Sequence, residues 1–136
     1  MKLMVALLLL IAGPASAQMH ISAYDSAAQL ESQLDHAVAV YAAAGLAPRC
    51  GFRDYPWMFK QQRAIQAGLQ KSADAYGTLT DDKAAFRPLA TGMVNDAVNQ
   101  MHGIDWALVN EPIPTGACVR LHNGGVLDML DRIGPK

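Results

Sequence analysis

Cysteine is scarce in this chain, with only Cys50 and Cys118 among 136 residues. Neither belongs to a C-x-x-C, which argues against a redox-active pair and, without C-x-x-C-H, against covalent c-type haem. Glutamate is nearly missing as well: Glu31 and Glu111 stand beside ten aspartates. Aspartate suits caps and turns better than long solvated helix faces. The shortage also weakens a sugar-hydrolase reading, which needs two carboxylates, one of them in a setting that raises its pKa. Neither glutamate has an obvious acidic partner. A phosphate-cradling glycine loop and a nucleophile-elbow pentapeptide are both missing. No basic stripe is present and the formal charge is −1, so a general nucleic-acid binder is not expected. No polybasic segment offers itself to anionic lipid surfaces. Internal repeats, low-complexity tracts and linkers are absent too.

What is present begins at the N-terminus. Met1-Lys2 forms a short basic region, and an apolar run follows from Leu3 to Ala12. Gly13-Pro14 ends the run and Ala15-Ser16-Ala17 supplies small residues for a peptidase pocket. The pattern predicts a cleaved secretory signal peptide over 1–17. Its apolar part is too short to span roughly 30 Å of hydrocarbon. No cysteine sits at the cut, so no lipid anchor is expected, and no stable membrane anchor remains after cleavage. The mature chain then starts at Gln18 and forms one helical domain over 18–136, periplasmic or secreted. A domain of this size buries about two thirds of its unfolded surface. In an oxidising compartment Cys50 and Cys118 pair, closing a long loop worth roughly 4 kcal/mol in the chain-entropy model.

Helical periodicity dominates the mature chain. Leu30, Leu34, Val38 and Tyr41 recur on a first helix from Ser22 to Ala44, with Gln29, Ser32, Gln33 and His36 on its polar side. Ser22 or Asp25 caps it, Gly45 ends it, and Pro48 prevents resumption. Ala42 to Ala44 permit a close helix–helix approach. An aromatic stretch from Arg49 to Trp57 follows. Asp54 as N-cap and Pro56 in the first turn open a second helix that runs to Tyr76, with Gly77 closing it. Met58, Ile65, Leu69 and Tyr76 form its stripe, while Gln62, Arg63, Gln66 and Gln70 lie away from it. Thr80 or Asp81 opens a third helix carrying Phe86, Leu89, Ala90, Met93, Ala97 and Met101. Pro88 kinks it or starts its main part. Gly103-Ile104 reads as a Schellman stop, leaving Ile104 to Val109 as a helical turn or short strand. Glu111 to Gly116 is loop. Val119 and Leu121 alternate with Arg120 and His122 as a short extended segment, and Val126 to Ile133 is a last short helix. The expected fold is all-α: a compact bundle of three main helices plus a short C-terminal helix, closed by the Cys50–Cys118 disulfide.

A disulfide there makes two distant loops neighbours. One brings Phe52, Arg53, Asp54, Tyr55 and Trp57, and the other Arg120, His122 and Asn123. Arg53, Tyr55, Trp57, Arg120 and His122 are accordingly the expected binding surface, since Tyr, Trp and Arg dominate interface hot spots. The plainer alternative makes Phe52 and Trp57 core, Asp54 a cap, and both arginines solvated. His122 with Asp54 is a candidate general base that lacks an evident nucleophile to act on. His102 suits a helix C-terminus, His36 a polar helix face, and His20 a tail. Four scattered histidines do not make a zinc or copper site. Met58, Met93 and Met101 read as core filler rather than haem ligands. No metal or cofactor is expected. The composite expectation is a small exported binding protein whose partner is another protein or a small envelope ligand, as for an inhibitor, immunity or accessory factor. A small hydrolase using His122 and Asp54, or a structural subunit of an envelope assembly, are the alternatives.

Overall fold

Ser22 stands ahead of an alanine- and leucine-rich run, and its hydroxyl accepts the Asp25 N–H at 3.1 Å in the computed structural model, which describes residues 21–136. The signal peptide expected over 1–17 and His20 lie outside the described residues. The cap opens α1 (Ala23–Leu46), as the sequence predicts. Its end differs from expectation. Gly45 does not terminate α1 but lies buried inside its last turn. A side chain there would run into the Leu108 methyl and sit 2.8 Å from the Gln62 amide. The glycine thus serves the close approach of three helices.

After α1 the chain turns through Gly51, whose φ of 78° favours glycine. The Asp54 carboxylate then accepts the Trp57 N–H at 2.9 Å and Pro56 occupies the first turn, starting α2 (Tyr55–Gly77). The third helix opens one residue later than predicted. Asp82, rather than Thr80 or Asp81, caps α3 (Lys83–Asn110) by accepting the Ala85 N–H at 3.0 Å. This helix passes unbroken through both Pro88 and Gly103. The expected stop at Gly103 is therefore overturned. A Schellman end needs a left-handed residue, and among the described residues only Gly51, Gly116 and Gly125 have positive φ.

Residues 117–123 are also helical rather than extended. Gly116, at φ 80°, redirects the chain into α4 (Ala117–Asn123). Gly125, at φ 71°, does the same for α5 (Val126–Ile133). A four-residue alternation is too short to separate a strand from one helical turn. The bundle thus ends in two short helices. The described residues contain no strand beyond an isolated parallel bridge between Ile21 and Thr80, which ties the start of α1 to the α2–α3 turn.

Helix α1 is the central member, packed against both α2 and α3. Leu30, Leu34 and Ala44 of α1 meet Leu69 and Tyr76 of α2 and Phe86 and Met101 of α3 in one buried cluster, which Leu130 of α5 joins. Because α1 is covered on two sides, its expected polar face is not all solvated: Gln33 is buried. So are Gln61 and Gln62 of α2. The Gln62 amide donates to the Tyr41 carbonyl at 3.3 Å, which makes its burial tolerable. A second small core of Ala47, Leu121 and Leu127 lies beside Cys50 and Phe52. Cys50 and Cys118 are joined, with α-carbons 5.6 Å apart.

Candidate functional site

The disulfide brings the α1–α2 turn beside α4, and the Phe52 and His122 rings face each other at 5.7 Å. From there the five singled-out residues divide. Arg53 turns toward α5. Its Nε donates to Asp131 Oδ2 at 3.1 Å and its Nη2 reaches Asp128 at 3.4 Å. The guanidinium carbon lies 5.5 Å from the Trp57 ring centre, and the Trp57 indole N–H donates to Asp131 Oδ1 at 2.8 Å. The Arg53 hydrogen bond holds the Asp131 carboxyl below the usual carboxylate range, against an opposing push from burial. Arg53 and Trp57 therefore anchor α5. Arg120 and His122 stand exposed on α4, where Arg120 reaches the Thr115 carbonyl only at 3.5 Å. Asp54 is engaged as the α2 cap, and among the described residues no hydrogen bond joins it to His122.

Tyr55 faces elsewhere. With Phe59, whose ring lies 6.4 Å away, it borders a groove of about 710 Å³ between α1, α2 and α3. The size falls within the usual range for small-molecule sites, about 300–1,000 Å³. Helix α2 supplies Tyr55, Met58, Phe59, Gln62, Arg63 and Gln66, a face repeating every three or four residues. Helix α3 supplies His102, Asp105, Leu108 and Val109. Tyr41, Gly45 and Arg49 come from α1 and the turn after it.

Fixed polar contacts hold the groove's frame. The Tyr41 hydroxyl donates to the Asp105 carboxylate, whose oxygens lie 2.9 and 2.8 Å away, and accepts from the Gln66 amide at 3.5 Å. Burial and then the bond to Asp105 raise the Tyr41 pKa above its ordinary range, so the phenol remains a neutral donor. Arg49 closes the other end. It donates to the carbonyls of Leu108 at 2.6 Å and Glu111 at 3.0 Å, satisfying the end of α3. Arg63 and His102 are left exposed, with no hydrogen bond or ion pair among the described residues. Along the groove Phe59 and Val109 show 50% and 82% of their surface to solvent.

The groove escaped the sequence reading because a stop at Gly103 separates His102 from Asp105 and Leu108. A continuous α3 places them on one face. The small-residue run ending at Gly45 was the legible sign of close approach. Chemically, the groove offers apolar walls, a neutral phenol, a tied carboxylate and two open cationic or basic groups. It has no serine or free cysteine in its lining. Among the described residues no group of three or more His, Cys, Asp or Glu is arranged to hold a metal ion. No helix there is long and apolar enough to cross a membrane. The class so defined is an all-α, disulfide-closed bundle with an open groove between its three long helices. No protein-family model, curated protein or solved structure matches the chain.

Proposed function

We propose that this chain is a small exported binding protein, periplasmic in a Gram-negative source, that holds a small envelope ligand in the α1–α2–α3 groove. The observation carrying this reading is the pairing of exposed apolar walls, Phe59 and Val109, with convergent polar groups fixed by the Tyr41–Asp105 contact. Apolar surface with a few oriented polar groups is the usual make-up of such sites. The disulfide is compatible with an oxidising compartment. Of the residues the sequence singles out, Tyr55 belongs directly to this site.

The test uses the neutral fluorescent probe N-phenyl-1-naphthylamine. One saturable site is expected in the oxidised protein, weakened at least about tenfold in a Phe59→Ser, Val109→Asp double variant. Both positions are exposed, so circular dichroism should show an unchanged fold. Probe binding that is non-saturable, or indifferent to the double variant, removes the groove from consideration.

A further inference from the structure

The groove changes character along its length, and both walls change together. On α2 the order is Tyr55, Met58 and Phe59, then Gln62, Arg63 and Gln66. Eleven residue steps at 1.5 Å each make this wall roughly 16 Å long. Helix α3 runs antiparallel to α2, since Gly77 near the α2 end lies against Phe86 near the α3 start, while Gln62 and Leu108 meet at Gly45. Leu108 therefore stands level with Gln62, midway along the α2 wall, with Val109 one residue nearer its apolar end and His102 toward Gln66. The exposed side chains thus pass from apolar to polar along the groove, while Arg49 at the apolar end is tied to the carbonyls that finish α3.

Its charge is also uneven. Arg49 and Arg63 stand against the single carboxylate of Asp105. Asp105 is already bound by the Tyr41 hydroxyl. Arg49 spends its hydrogen bonds on the backbone carbonyls of Leu108 and Glu111, and among the described residues no carboxylate forms an ion pair with it. The local balance is thus positive in a chain whose formal charge is −1. An exposed arginine is ordinary by itself. Arg63 differs by position, one helical turn beyond exposed Phe59, with its planar fork of donors open at the polar end. That fork matches a carboxylate or phosphate in two-point contact.

We infer that the groove's ligand is a single-chain anionic amphiphile, its carboxylate or phosphate head at Arg63 and its apolar body between Phe59 and Val109. The inference rests on the groove being the binding site, and the test separates the two. Isothermal titration at low salt compares decanoate, decyl phosphate and decan-1-ol, all below micelle-forming concentrations. One or both anions should bind at least about tenfold more tightly than the alcohol, and the tighter anion identifies the head as carboxylate or phosphate. Arg63→Ala should bring the anion down toward the alcohol, Arg63→Lys should restore part of the difference, and Arg132→Ala, a control on α5, should change nothing. An alcohol that binds as well as either anion, or an anion preference that survives Arg63→Ala, overturns the anionic assignment while leaving the groove in place. Loss of all binding together with loss of the neutral naphthylamine site overturns the groove itself.

Discussion

Asp131 shows how much one side chain can organise in a short helix. Its carboxylate takes the Arg53 guanidinium and the Trp57 indole together, although both lie more than seventy residues earlier in the chain. Nothing in the local sequence around Arg53 and Trp57 indicates that partner. The same residues read naturally as a ligand-facing corner when α5 cannot be placed. The Asp131 side chain is 40% exposed, so solvent screening reduces the contribution of the pair. Asp131→Asn is expected to lower stability by about 1 kcal/mol at pH 7. The pH dependence has a definite sign. A carboxyl with a folded pKa below its unfolded one stabilises above the unfolded value, about 3.9, and loses that contribution as pH falls through the folded value. Urea denaturation at pH 7, 4 and 2 should therefore show the gap between wild type and variant persisting to about pH 4 and closing below it. A gap of constant size down to pH 2 would mean that Asp131 acts through shape rather than charge.

At the scale of elements, the starts of helices were easier to read than their ends. Ser22 and Asp54 cap α1 and α2 where the sequence indicates, because an N-cap is a local bond between a side chain and a backbone N–H three residues on. Helix ends depend on what packs beyond them. In α3 the apolar residues Ile104 and Leu108, beyond Gly103, reward continuation by packing against the bundle and the groove. That gain outweighs the propensity cost of one glycine, about 1 kcal/mol. Gly103 itself is exposed, with open space where a side chain would project and no positive φ. Gly103→Ala should accordingly stabilise the protein by about 0.5–1 kcal/mol. Pro88 gives the same opportunity near the other end. It removes the N–H that would pair with the Ala84 carbonyl, and Pro88→Ala should gain about 1 kcal/mol, less than the full interior cost because the site lies in the second turn. Urea midpoints of the two single variants check both values. Stability lost in Pro88→Ala would show that the ring presets the first turns of α3 instead.

For the whole molecule, the disulfide and the main core protect different parts. Helices α1, α2 and α3 share one buried cluster, and α5 enters it through Leu130 while also holding Asp131 against Arg53. Helix α4 has less support: it packs on α5 and on the small core of Ala47, Leu121 and Leu127, with Cys118 as its covalent tie. A Cys50→Ser, Cys118→Ser double variant releases a loop of 68 residue steps, which the chain-entropy model values at roughly 4 kcal/mol. The loss should also be local. Hydrogen exchange followed by mass spectrometry is expected to show α4 losing protection first, with α5 intermediate and the three long helices retaining the most. The groove should survive, because the Tyr41–Asp105 and Arg49–Leu108 contacts that hold its frame do not pass through either cysteine. Naphthylamine binding measured on the double variant below its melting temperature should thus match wild type. If exchange rises evenly across the five helices of the described residues instead, the disulfide is holding the bundle as a unit, and the division between a self-supporting groove and a stapled corner is wrong.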